Sequence, residues 1–328
     1  MTRPPCSSLV LLVPLPHRAL VRMRKWCEIR AMTPHGSHTI VMTGASRGIG
    51  AIAAADILRR DPSAHLVVVG RGAAAGTDRM TPIEADLTSA AATSAAAARI
   101  AEAIADGSLP PLRDFVGNAG IQYADDLTET DDGIEATFAV NVRANHLILS
   151  GLESSFGDDA HVVITVSDTH FGDFRHNLGM VPAPSWTSVA ELARTEAFPN
   201  PASVGAGRTA YSTSKLTAIY LVHAWSRRLP HVVSFNPGFV PGTDLARHAG
   251  AVSRFAMKRI LPAMTWTPIA TTVDAAGRAL ADVVTGTTTT SNGDYVDRRR
   301  VVRSSEESYD AGRERELLEF LNSVHPTL

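Results

Sequence analysis

Cysteine is nearly absent from this 328-residue chain: only Cys6 and Cys27 carry a thiol, and both lie close to the start. The rest has no means to build a disulfide framework, a thiolate metal centre or a cysteine nucleophile, so a reducing, cytoplasmic setting is expected. Lysine is scarce as well, with Lys25, Lys215 and Lys258 standing among 31 basic residues. No apolar run approaches the roughly 18 residues that span a bilayer. The longest near the start, Leu9 to Val13, stops at Pro14. Charge of one sign is lacking too: the formal net charge is −2, with +5 on residues 1–38 and therefore −7 on residues 39–328. An acidic body argues against nucleic acid as a partner, because phosphate neutralisation needs clustered Lys and Arg. No histidines have metal-ligand spacing, so no metal is expected, and His170 and His176 read as polar loop residues. What remains, 45% hydrophobic and 20% charged, is a globular composition that excludes disordered and collagen-like classes.

Residues 1–37 are basic and show no sustained period, and Pro4, Pro5, Pro14, Pro16 and Pro34 interrupt any helix. The expectation is a disordered leader, or a start upstream of the natural one at Met32. A transit peptide is the alternative, weakened by scarce serine. From His38 the pattern becomes regular. Short apolar runs at 39–42, 65–69, 115–117, 161–166 and 231–235 alternate with helical stretches at 48–60, 89–105, 133–156 and 210–229. Continuous apolar strands alternating with helices predict one α/β domain over residues 38–328, with a doubly wound parallel sheet covered by helices.

Thr43-Gly44-Ala45-Ser46-Arg47-Gly48-Ile49-Gly50 joins the first strand to the first helix. Glycines there let the backbone approach a pyrophosphate at the helix N-terminus. A glycine triplet alone is weak, since a plain structural turn looks the same; its place in the first strand–helix unit strengthens the cofactor reading.

The spacing Gly-x-x-x-Gly-x-Gly resembles the cofactor turn of the short-chain dehydrogenase/reductases. The resemblance continues through Asp86-Leu87, Asn118-Ala119-Gly120, Asn141, Ser167, Tyr211-Ser212-Thr213-Ser214-Lys215 and Asn236-Pro237-Gly238, and spans about residues 39 to 245. It implies a Rossmann-type fold and hydride transfer between a nicotinamide and a carbonyl carbon. The chain also resembles the retinol-dehydrogenase-like, protochlorophyllide-reductase-like and carbonyl-reductase-like members.

Tyr211 and Lys215 stand four apart on an expected helix and so share a face. A free tyrosine titrates near pH 10. A neighbouring ammonium, helped by an oxidised nicotinamide, is expected to lower that value. A solvated surface pair is the bland alternative. Ser167 ends a strand, where ligands of open α/β sheets bind, and is expected to hold the substrate oxygen, although Asp168 and Thr169 leave that choice open. The resemblance implies that Asn141 holds a water relaying protons to Lys215, and that Lys215 also binds the nicotinamide ribose.

Further cofactor contacts are expected from Gly44, Ser46, Arg47, Gly48, Ile49, Gly50, Arg71, Asp86, Leu87, Asn118, Ala119 and Gly120, and from Pro237, Gly238, Val240 and Thr243. The position that reads the ribose, at the end of the second strand, is Gly70 followed by Arg71. No acid stands there for the 2′-hydroxyl of NAD, and Arg71 with Arg47 suits the 2′-phosphate of NADP. NADP, and hence carbonyl reduction, is expected over NAD.

The insertion 168–209 is long for the family and is expected to roof the substrate site, or to cover the helix through which many members pair; a monomer is favoured over a homo-oligomer. Ser188 and Glu191 have capping-box spacing. Phe255, Met257, Ile260, Leu261, Met264 and Trp266 suggest an apolar lid, or a core helix. A charged amphipathic helix is expected at 306–321, with Leu317, Leu318 and Leu321 inward. Reduction of a C=C bond and a non-catalytic NADP sensor are the competing functions, and the intact Asn141, Ser167, Tyr211 and Lys215 set speaks against the sensor.

Overall fold

The structure, a computed structural model, describes residues 37–72, 76–177, 179–240 and 271–324. The first half alternates β1 (His38–Thr43), α1 (Gly48–Arg60), β2 (Ala64–Gly70), β3 (Met80–Glu84), α2 (Ala90–Ala105) and β4 (Leu112–Gly117). A helical run follows: α3 (Ala136–Phe138), a π-helical segment (Ala139–Arg143) and α4 (Ala144–Leu152). Then come β5 (Phe156–Thr165), a 3₁₀ turn (Asp168–Phe171), α5 (Phe174–Asn177), α6 (Val189–Leu192), α7 (Val204–Trp225) and β6 (Val232–Asn236). The last elements are α8 (Val273–Val284), β7 (Tyr295–Asp297), β8 (Arg300–Val302) and α9 (Ala311–Ser323).

The sheet runs in the order β3-β2-β1-β4-β5-β6-β7-β8. Every neighbouring pair is parallel except β7–β8. The order reverses between β1 and β4, so a crevice opens beyond their carboxyl ends, where open α/β sheets bind ligands. Successive residues of each strand face opposite layers. Val41, Val67 and Phe115 pack with α2, α4, α7 and α9. Ile40, Met42, Leu66, Val68 and Val116 pack with α1 and α8. Burial on both faces is why these strands carry unbroken apolar runs.

The doubly wound reading therefore holds, with altered bounds. The expected helix over 133–156 begins only after Glu135, whose carboxylate accepts from Thr137 N–H at 2.8 Å and Phe138 N–H at 2.6 Å, and β5 takes the chain from Phe156 rather than His161. Helix α7 starts earlier than residue 210, because Ser203 caps it through Ala206 N–H at 3.1 Å. The Ser188–Glu191 capping box is present. At the C-terminal end Asp310 accepts from Gly312 N–H at 2.8 Å and Arg313 N–H at 3.1 Å. The expected segment opens with a 3₁₀ turn (Glu306–Tyr309), and the α-helix begins after that cap, with Leu317 and Leu321 buried and Leu318 only partly so. β3, β7, β8 and α8 were not foreseen. Thr243, the lid residues Phe255 to Trp266 and the leader 1–36 lie outside the described residues. Among the described residues, no helix is long and apolar enough to cross a membrane.

Candidate active site

The β1–α1 turn opens onto a cleft of about 670 Å³. Gly44 and Gly48 have φ of +68° and +56°, conformations that side-chain-bearing residues rarely adopt. A Cβ on Gly50 would lie 2.0 Å from the Gly44 carbonyl oxygen. Helix α1 begins with no side-chain cap bond and no acid in its first turn. Its leading N–H groups are therefore available to an anion. Asn118 Nδ2 donates to Gly44 O at 3.1 Å, and Ala119 N–H to Thr43 Oγ1 at 3.0 Å, which ties the end of β4 to this turn. Asp86 is spent on Thr88, accepting its N–H at 3.0 Å and its hydroxyl at 2.8 Å, and its second oxygen stands 3.7 Å from Arg71. That pair is largely exposed and weak. The cradle, the uncapped helix and two arginines at the cleft suit a dinucleotide.

At the other end of the cleft β5 and α7 bring Ser167, Tyr211 and Lys215 together. Lys215 Nζ donates to Thr165 O at 3.0 Å and lies 5.7 Å from the Tyr211 ring centre. Burial pushes the Lys215 ammonium down to about 8. Burial also pushes the Tyr211 phenol well up; contact with Ser167 opposes this and the Asp168 carboxyl reinforces it. The expected lowering of the phenol by Lys215 is thus not found: desolvation is the larger effect in this protein, and the phenol stays protonated at neutral pH.

Asn141 sits in the π-helical segment and does not line the cleft. Its Oδ1 accepts from Ile121 N–H at 2.9 Å, and its Nδ2 donates to Ile121 O at 3.1 Å and Ser214 Oγ at 2.9 Å. It braces the loop after β4 against the turn that carries Lys215. π-Segments of this kind recur at functional sites. His170 corrects the expectation of an ordinary loop residue, being buried. Its Nδ1 bonds Ser167 O at 2.6 Å, and its Nε2 bonds Ser305 N–H at 3.2 Å. An amide N–H must donate, so Nε2 accepts and Nδ1 carries the proton. Burial pushes this imidazole down to about 4, so it is neutral and fixes the strand end behind Ser167. Among the described residues no cluster of three or more His, Cys, Asp or Glu could hold a metal.

A family model described as short chain dehydrogenase matches residues 38–170. The chain is 27% identical over 240 residues to Oxidoreductase calI of Penicillium decumbens, a match covering 67% of this chain and 64% of that protein. Over these segments the chain is similar to the short-chain dehydrogenases. The chain thus matches less than two thirds of that curated relative's length. Solved structures share the fold. An uncharacterized protein from Mycobacterium Paratuberculosis superposes with a TM-score of 0.58 at 20% identity, covering 90% of this chain and 96% of that one. A short chain dehydrogenase from Burkholderia cenocepacia J2315 in complex with NADP gives 0.54 at 23% identity, covering 81% and 97%. The NADPH-dependent 3-quinuclidinone reductase of Rhodotorula Rubra gives 0.53 at 16%, covering 90% and 97%.

Of the residues expected at the cofactor site, those between Gly44 and Gly120, together with Tyr211, Lys215, Pro237, Gly238 and Val240, all line the cleft, as does Ser167. Sequence reasoning missed Gln122, His176, Asn177, Met180 and Val181, which line it too. Four of these five come from the insertion or its first turn, whose role as a roof was expected but whose contributing residues carry no period.

Proposed function

We propose that the protein is an NADPH-dependent reductase that converts the carbonyl of a lipophilic ketone or aldehyde to the alcohol. The observation that carries this reading is Tyr211, buried beside Ser167 and Lys215 in the cleft that the glycine turn opens. A nicotinamide held there supplies the hydride. Tyr211 gives its proton to the developing alkoxide, and a phenol that burial keeps protonated is suited to that direction. Ser167 orients the oxygen. Lys215 would hold the ribose of a bound nicotinamide and keeps a positive charge near the phenol, while Asn141 fixes the Ile121 loop beside it. Ile121, Met180, Val181 and Phe239 make the substrate end apolar, which favours a lipophilic compound.

Gly70 leaves open space where an acid would read NAD, and Arg47 and Arg71 line that end of the cleft. The NADP complex and the NADPH-dependent reductase among the structural neighbours agree with this preference. The test is NADPH loss with acetophenone, benzaldehyde, decanal and cyclohexenone. Turnover of a saturated carbonyl is expected, whereas turnover of the enone alone would assign C=C reduction instead. In the same assay Arg71→Asp should shift the NADPH-to-NADH preference in kcat/KM by about tenfold to a hundredfold, the worth of one charge-assisted contact. An unchanged ratio would remove Arg71 from the 2′-phosphate site.

A monomer is part of this reading. The outer side of α7 is already covered: Tyr220 donates to Glu307 O at 2.6 Å, and the Trp186 ring stands edge-on to Tyr220 at 5.1 Å. His223 Nδ1 bonds Ser308 O at 3.0 Å. Sedimentation velocity should give the mass of one chain; a dimer would show that pairing uses another face.

A further inference from the structure

Asp168 follows Ser167 at the carboxyl end of β5 and lines the same cleft. Ser167 Oγ donates to Asp168 Oδ1 at 3.3 Å, accepts from Thr169 N–H at 3.3 Å, and touches the Tyr211 phenol. A hydroxyl has one hydrogen. While Asp168 is ionised, its carboxylate holds that hydrogen and Ser167 presents only lone pairs to the reacting oxygen. Once protonated, Asp168 can itself donate to Ser167 Oγ, and the Ser167 hydrogen is released toward the substrate.

The surroundings make this switch accessible. Asp168 N–H donates to Asn236 Oδ1 at 3.3 Å, and Asn236 Nδ2 donates to Asp297 Oδ1 at 3.0 Å, which brings two carboxyls near each other. The β7–β8 hairpin presents Tyr295, Asp297 and Arg298 toward Asp168, α5 presents His176, and α7 presents Tyr211. The cations among them have carboxylates of their own. Arg298 forks onto Asp297 at 3.2 and 3.1 Å, and His176 Nδ1 meets Asp173 at 2.7 Å. His170, beside them, is neutral. Burial and the Asp297 charge together push the Asp168 carboxyl up to about 6, against smaller opposing pulls from Ser167, His176 and Arg298.

We propose that Asp168 is a positioning residue that decides whether Ser167 offers a hydrogen or a lone pair to the reacting oxygen, so that carbonyl reduction strengthens when Asp168 takes up a proton. This rests on the reductase reading above. No proton leaves Ser167 in the process; the proton transferred to the alkoxide remains that of Tyr211.

The test compares the full-length protein with Asp168→Asn and Asp168→Ser, using the fastest compound of the carbonyl panel. Wild-type kcat for reduction should rise about tenfold from about pH 8 to about pH 5, and both variants should lose that slope. A second measurement needs no turnover. A carboxyl raised in the folded state stabilises below its unfolded value and loses that contribution as pH rises through its folded value. The unfolding midpoint of wild type relative to Asp168→Asn should therefore fall between about pH 4 and about pH 7. Wild-type turnover with parallel pH slopes in all three proteins, or a midpoint difference that does not change with pH, overturns the role of Asp168 alone. NADPH binding without turnover of any carbonyl overturns the reductase reading and this inference with it.

Discussion

Replacing Tyr211 by phenylalanine is expected to leave NADPH bound while carbonyl turnover falls by at least about 10²-fold, the scale of losing a general acid. The substitution removes one oxygen and keeps the ring, so the buried packing around α7 is preserved. Lys215 keeps its bond to Thr165 O, and the glycine turn at the far end of the cleft is untouched. The loss should fall on kcat, because the phenol's proton matters only as charge develops on the substrate oxygen. Fluorescence titration of NADPH should give a dissociation constant within about threefold of wild type, since the hydroxyl makes no stronger contact than a single neutral hydrogen bond. Turnover that survives the change would mean that another group delivers the proton. The nearest candidate is Asp168, whose carboxyl reaches Ser167 and which is partly protonated at mildly acidic pH.

The parts of this fold that sequence made legible are those whose residues obey a period or a steric rule. β1, β2 and β4 stand out as apolar runs because both sheet faces are covered, and the glycine turn stands out because its backbone admits no side chain. β3 stayed hidden: Met80–Glu84 carries Pro82 at the sheet edge and buries polar Thr81 while Met80 and Pro82 are half-exposed, so its residue types do not follow its burial. β7 and β8 are three residues each, too short for any pattern. The switch from α to π geometry at Asn141 leaves no mark in composition.

The site divides in the same way. Tyr211 and Lys215 were legible because helix geometry fixes their separation, whereas the direction of the phenol's titration was not, because it depends on enclosure that only the fold supplies. His170 is the sharper case. In sequence it is a polar residue after a strand, yet in the fold both its nitrogens are committed, one to Ser167 O and one to Ser305 N–H. That link joins the end of β5 to a segment 135 residues further on. No local rule reaches across such a distance.

Gly50→Ala should abolish tight NADPH binding, with a loss of at least about 10²-fold in affinity, while Gly48→Ala costs about tenfold. The two glycines lie in one turn but fail for different reasons. At Gly48 an added Cβ meets nothing within 4 Å, and only the positive φ of +56° resists it. Holding such a residue in the left-handed region costs about 1–2 kcal/mol, which is roughly tenfold. At Gly50 the Cβ would stand 2.0 Å from Gly44 O, 2.8 Å from Gly44 C and 2.6 Å from Asn118 Nδ2. Two of those atoms are backbone and cannot rotate aside, so the β1–α1 turn must open. Opening breaks the Asn118–Gly44 bond and withdraws the first N–H groups of α1 from the place where a phosphate would sit. Fluorescence titration with NADPH, alongside circular dichroism to establish that both variants remain folded, measures the contrast. Wild-type affinity in a folded Gly50→Ala protein would mean that the dinucleotide does not use this turn, and the cofactor site would have to be sought elsewhere in the molecule.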